Sequence, residues 1–127
     1  MKKRRPSEVL IVEDESITRM NAAEALTQIG FRTREAGDAR EALQILGGNP
    51  NIDLLFTDVD MPGAMDGLDL AKRVHHDWPA MELIVTSGAR TMGTTVLPDD
   101  GTFLPKPYFT DRLIQIVRKK LGRRNRG

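Results

Sequence analysis

Apolar residues fall along this chain in four short continuous runs: Val9-Leu-Ile-Val12, Leu54-Leu-Phe56, Leu83-Ile-Val85 and the brief Phe103-Leu104. Continuous rather than alternating runs predict strands buried on both faces, as in a parallel sheet. A weaker strand candidate, Phe31 to Glu35, follows a first helix of about Ser16 to Ile29 and its stop signal Gly30. The segments between the runs are helical. Asp38-Ala-Arg-Glu41 has the spacing of a capping box, and Ala39, Ala42, Leu43 and Leu46 follow on one stripe before Gly47-Gly48 ends the helix. Asp66 is placed to cap a third helix whose inward stripe is Leu70, Ala71, Val74 and Trp78, stopped by Pro79. Thr110 is placed to cap the last, with Leu113, Ile114, Val117 and Leu121 on one face and Arg118 and Lys119 on the other. Alternation of this kind predicts an α/β domain, a doubly wound five-stranded parallel sheet of order 2-1-3-4-5 (flavodoxin-like) with right-handed crossovers. Residues 88–101 break the rule: three glycines, a Thr-Thr-Val run and Pro98 suit a helix poorly, so the fourth helix is expected to be short or irregular.

A length of 127 residues fits one domain and one core. No apolar run approaches the roughly 20 residues of a membrane span, and the basic start is followed by too few apolar residues for a secretion signal, so a cytoplasmic, membrane-free protein is expected. Without cysteine there is no disulfide, thiolate metal site or cysteine nucleophile. The net charge of +1 hides an asymmetry: residues 2–5 hold four Lys/Arg and residues 118–126 hold six, while all 18 Asp/Glu lie between. The organisation expected is a basic tail at 1–6, a domain at 7–121 and a basic tail at 122–127. Short terminal charge runs are ordinarily solvated tails, and no aromatic residues interleave them, so nucleic acid is not expected as a partner.

The unusual polar residues fall at strand ends, where ligands of open α/β sheets bind. Glu13 and Asp14 close the first strand, Asp58 the third and Ser87 the fourth, and Lys106 follows the fifth. Strands one and three flank the reversal of strand order, which brings Glu13, Asp14 and Asp58 together. Clustered carboxylates repel unless protonated or bridged by a cation, and hard oxygen ligands with open positions suit Mg²⁺. The Lys106 ammonium and the Ser87 hydroxyl suit phosphate oxygens, and Asp58 can then act as a nucleophile forming an aspartyl phosphate.

The four segments "VLIVEDE", "LLFTDVDMPG", "LIVTSG" and "TFLPKPY", in this order and each at a strand end, resemble the receiver domain of two-component response regulators from about Ser7 to Leu121. The resemblance implies a stand-alone, single-domain phosphoacceptor whose Asp58 takes a phosphoryl group from a histidine kinase or histidine phosphotransfer protein. It implies Mg²⁺, with Mn²⁺ as a substitute, held by Glu13, Asp14, Asp58 and the backbone carbonyl of Asp60. It further implies that Ser87 and Lys106 grip the phosphoryl group, that Ser87 and Phe103 form the switch to an altered protein-binding surface, and that the peptide before Pro107 is cis. Such a protein promotes only its own phosphorylation and dephosphorylation and is otherwise not an enzyme. It would act on a downstream protein as a monomer or as a phosphorylation-dependent dimer.

Departures from the family pattern are local. Phe103 lacks the hydroxyl of a tyrosine, the loop "MPGAMDG" is one residue longer than usual, and Asp60 places an acid where it can tune hydrolysis of the phosphate. The glycine-rich 88–101 segment stands where the family's output helix lies and could order on phosphorylation. Two other functions remain open on sequence alone. Asp58-Val-Asp60 is similar to the nucleophile of haloacid-dehalogenase-type phosphatases, although there the nucleophile lies on the first strand. A receiver-like scaffold that is never phosphorylated is the other. Taken singly, each site residue has a plainer role: Asp14 or Asp58 as a turn or cap residue, Ser87 as part of a turn, Lys106 as a solvated lysine, and Phe103 as core. The adjacent His75 and His76 are read as surface residues, Met61 and Met65 as loop packing, and Trp78 as cover for the core.

Overall fold

The computed structural model describes residues 6–49, 51–88, 97–98 and 101–122. Five strands, β1 (Glu8–Val12), β2 (Arg32–Ala36), β3 (Leu54–Asp58), β4 (Glu82–Ser87) and β5 (Thr102–Pro105), form one all-parallel sheet of order β2-β1-β3-β4-β5. The helices are α1 (Ser16–Gln28), α2 (Ala39–Gly48), α3 (Gly67–Asp77) and α4 (Thr110–Gly122). The expectation of a short or irregular helix between β4 and β5 concerns residues that lie mostly outside those described.

The continuous apolar runs are explained by two cores, one on each face of the sheet. Leu10, Val12, Leu55, Leu83 and Val85 point toward α2 and α3, where they meet Ala42, Leu46, Leu70 and Val74. Their neighbours Val9, Ile11, Leu54, Phe56 and Ile84 point the other way, against Leu26 of α1 and Leu113, Val117 and Leu121 of α4. Successive residues of a strand face opposite sides, so a strand covered twice must be apolar throughout. Each buried leucine here contributes about 1.5–3 kcal/mol. Met61 and Met65 pack from their loop onto the α2–α3 core, as does Trp78.

Local signals set the ends of the elements. Asp38 accepts from Glu41 N–H at 2.8 Å, but the Glu41 carboxylate reaches back past the cap to Gly37 N–H, at 2.6 Å. Asp66 and Asp69 complete a reciprocal capping box at α3. Gly30 ends α1 with φ 102°, as its N–H donates to Thr27 and that of Phe31 to Leu26, the paired bonds of a Schellman turn. Thr110 is not a cap as expected. It is the first residue of α4, and the Phe109 carbonyl accepts from Leu113 N–H at 3.3 Å. Lys120, counted among the basic C-terminal residues, is buried with its Nζ 3.7 Å from Glu82 at the start of β4. No helix among the described residues is long and apolar enough to cross a membrane.

Candidate functional site

All strands are parallel, so their carboxyl ends share one edge, and the chain reverses direction of growth between β1 and β3. That edge carries every residue singled out by its strand-end position. Glu13, Asp14 and Asp58 each offer a carboxylate oxygen within 4.8 Å of the others'. Asp58 is only 2% exposed, Glu13 is buried and Asp14 is exposed. The Asp60 carboxylate is outside this cluster, but the Asp60 N–H donates to Asp58 Oδ1 at 3.1 Å.

Lys106 closes the group from the β5 side. Its Nζ stands 2.7 Å from Asp58 Oδ2 and 3.6 Å from Glu13 Oε1. Burial by itself would lower the Lys106 pKa, but the hydrogen bond and charge of Asp58, aided by Glu13, outweigh burial and raise it. Glu13 is pushed up to about 7, chiefly by burial, with further upward pushes from Asp14 and the Asp58 charge against the opposing Glu15 N–H and Lys106. Burial, and then the Glu13 charge, raise the Tyr108 hydroxyl to about 12, while its ring meets Phe56 edge-on at 5.7 Å. The Lys106–Pro107 peptide is cis.

Ser87, at the end of β4, is fully buried, and its Oγ has no hydrogen-bond partner among the described residues. Its carbonyl accepts from Lys106 N–H at 2.9 Å, tying the two strand ends. Phe103 lies on β5, half-buried against the α2–α3 core. Hard carboxylate oxygens in a close cluster beside an unsatisfied buried hydroxyl are the donor set expected where a divalent cation and an oxyanion meet.

Two contributors were not legible in the strand-end pattern. Gly67, first residue of α3, lets the helix start against β3: a Cβ there would lie 1.7 Å from the Asp58 carbonyl oxygen. Its immediate sequence signal is the preceding Asp66 cap, which requires a helix to begin at this point. Arg19 donates to the Glu13 carbonyl at 2.8 Å, and nothing in its helical surroundings marks it.

The family model described as Response regulator receiver domain matches residues 9–118. The chain is 32% identical to the DNA-binding transcriptional regulator NtrC of Azospirillum brasilense, over 90% of this chain and 24% of that protein. It is 33% identical to the transcriptional regulatory protein PdtaR of Mycobacterium tuberculosis, over 93% of this chain and 58% of that one. It therefore spans about a quarter to somewhat over half of these curated relatives. Among solved structures, the receiver domain of NtrX from Brucella abortus superposes with a TM-score of 0.81 at 30% identity, covering 90% of this chain and 98% of that one. With the family model matched over residues 9–118 and this likeness of fold over nearly the whole described chain, the protein belongs to the response regulator receiver domain family.

Proposed function

We propose that the chain is a phosphoacceptor signalling module in which Asp58 takes a phosphoryl group from a phosphohistidine of a histidine kinase or histidine phosphotransfer protein. One observation carries the reading: the buried Asp58 carboxylate is held at 2.7 Å by Lys106, whose backbone N–H is bonded to the carbonyl of Ser87, a residue with a buried hydroxyl lacking a partner among the described residues. An Asp58 oxygen attacks phosphorus as the P–N bond breaks. The electron pair leaves with the imidazole nitrogen, and an aspartyl phosphate remains. Lys106 and Ser87 then turn from the carboxylate and from no partner, respectively, to phosphoryl oxygens. Glu13, Asp14, Asp58 and the Asp60 carbonyl would hold Mg²⁺, or Mn²⁺ in its place. When bound, the cation supplies neutralisation of the charge that gathers between carboxylates and phosphate.

Attack by water on the same phosphorus returns the carboxylate and inorganic phosphate, a step that the exposed Asp60 side chain, two residues past Asp58, would tune. Burial of the Ser87 hydroxyl against phosphate draws on β4 and β5 together, and Phe103 carries the change to the surface used by a protein target. The donor docks where α1 faces the loop after β5. A groove of about 540 Å³ runs there between Thr18, Asn21 and Tyr108, reaching Lys106, and Ile17 and Phe109 on the same two segments are 70% and 84% exposed. The test is intact-mass spectrometry after incubation with Mg²⁺ and phosphoramidate. A phosphoryl adduct is expected on the parent and absent from Asp58→Asn; an adduct on both, or on neither, refutes the assignment.

A further inference from the structure

Arg19, in the first turn of α1, makes contacts at the carboxyl edge of the sheet that the phosphoryl chemistry does not use. Its Nη1 donates to the Glu13 carbonyl at 2.8 Å, and its Nε pairs with Glu35 Oε1 of β2 at 3.1 Å. A methyl added at Gly37 would lie 3.7 Å from Nη1, so the guanidinium rests against the end of β2 as well. The N–H of the same Glu13 donates to the Ala36 carbonyl at 3.0 Å. Both backbone polar groups of Glu13 are therefore fixed to β2, one directly and one through the guanidinium.

The Glu13 carbonyl belongs to the peptide that joins it to Asp14. Asp14 is exposed, so packing does little to fix it, yet its carboxylate lies within the 4.8 Å cluster. The orientation of that peptide sets the direction in which Asp14 leaves the strand. We propose that Arg19 is a positioning residue for the divalent cation site, acting through the Glu13–Asp14 peptide rather than by touching the cation or the phosphoryl group. This rests on Glu13, Asp14 and Asp58 forming a cation site.

Two effects of removing the guanidinium have opposite signs, which makes the role testable. A positive charge beside a cation site opposes the cation, so loss of charge alone would tighten binding. Loss of the hydrogen bond frees the ligand-bearing peptide, and removing groups that orient metal ligands typically weakens affinity by about 10–100-fold. Glu35 already offsets much of the Arg19 charge, so the positional effect dominates. Arginine's planar fork spans the carbonyl and the carboxylate at once, whereas an ammonium is a single point donor.

The experiment is Mn²⁺ titration of the whole chain, read as the electron paramagnetic resonance of free ion, for the parent, Arg19→Gln and Arg19→Lys, with thermal melts to establish folding. Arg19→Gln is expected to bind about tenfold more weakly, and Arg19→Lys, at unchanged charge, several-fold more weakly. Equal or tighter binding by either folded variant overturns the proposal. Should Arg19→Gln fail to fold, the charge-preserving Arg19→Lys decides alone. A parent that binds no Mn²⁺ removes the cation site itself, an outcome distinct from equal binding by parent and variants.

Discussion

Replacing Ser87 by alanine is expected to raise stability and to slow phosphoryl transfer, and its neighbour Thr86 supplies the control. Both hydroxyls are buried at the end of β4, but Thr86 Oγ1 donates to the Leu104 carbonyl at 2.7 Å, whereas Ser87 Oγ has no partner among the described residues. Burying an unpaired hydroxyl costs about 1–3 kcal/mol, and losing its small volume returns part of that, so Ser87→Ala should gain about 1 kcal/mol. For a domain of this size that is a rise of about 4 °C in Tm. Thr86→Val keeps shape but removes that hydrogen bond, and should lose about 0.5–1.5 kcal/mol. The two variants should therefore melt on opposite sides of the parent in the absence of Mg²⁺. In the same samples, the initial rate of adduct formation from phosphoramidate should fall at least about tenfold for Ser87→Ala, since a buried donor aimed at developing oxyanion charge contributes that much or more. Thr86→Val, its hydroxyl already committed to backbone, should keep a rate within a few-fold. The reasoning is refuted if Ser87→Ala melts as low as Thr86→Val, or if it is phosphorylated at the parent's rate.

Gly67→Ala would drive a Cβ to 1.7 Å from the Asp58 carbonyl oxygen, far inside contact, and should cost about 3 kcal/mol or more in urea denaturation; Gly47→Ala, inside α2 with nothing within 4 Å, should instead gain about 0.5–1 kcal/mol. A Gly67→Ala variant as stable as the parent would show that α3 can retreat from β3. The raised pKa of Glu13, about 7 against 4.5 unperturbed, means the folded chain binds more protons than the unfolded one between those values. Stability without metal should accordingly fall as pH rises from about 4.5 through about 7, and Mg²⁺ should restore most of it above pH 7 while its affinity climbs over the same interval. Melts that stay flat across this range, with Glu13→Gln no different, would contradict the burial argument.

Much of the site was legible because it is built from strand ends. The oily runs fix where strands stop, and in a parallel sheet the stops lie on one edge; Glu13, Asp58, Ser87 and Lys106 each follow from that rule. Element ends were also readable where a side chain caps its own backbone, as at Asp38 and Asp66. What escaped reading depends on partners remote in sequence. Lys120 looks like one more of the basic residues crowded toward the C-terminal end until Glu82 is brought beside it by the packing of α4. β2 is mostly polar because it is an edge strand, with only Ala36 fully buried, so its apolar signal was weak. The blurred stripe of α1 has a similar origin: Ile17 and Met20 stand 70% and 58% exposed while Ala22, Ala23 and Leu26 face inward. Gly67 and Arg19 matter only through what they touch, Asp58 in one case and Glu13 in the other.

The two-sided core has a consequence for the fidelity of the site. In β3, Leu54 and Phe56 serve one core and Leu55 the other, and Asp58 is the fifth residue of the same rigid ribbon. A slip of one residue against β1 or β4 would exchange these side chains between two unlike cavities, misfilling both at once, and would displace Asp58 from Lys106 by the rise of one residue, about 3.3 Å. Errors in the signalling centre are thus coupled to errors in packing that are far more costly than the centre itself. Folding acts as a proofreader: a chain that has assembled its two oily layers correctly has, by the same act, aligned its acids and its lysine.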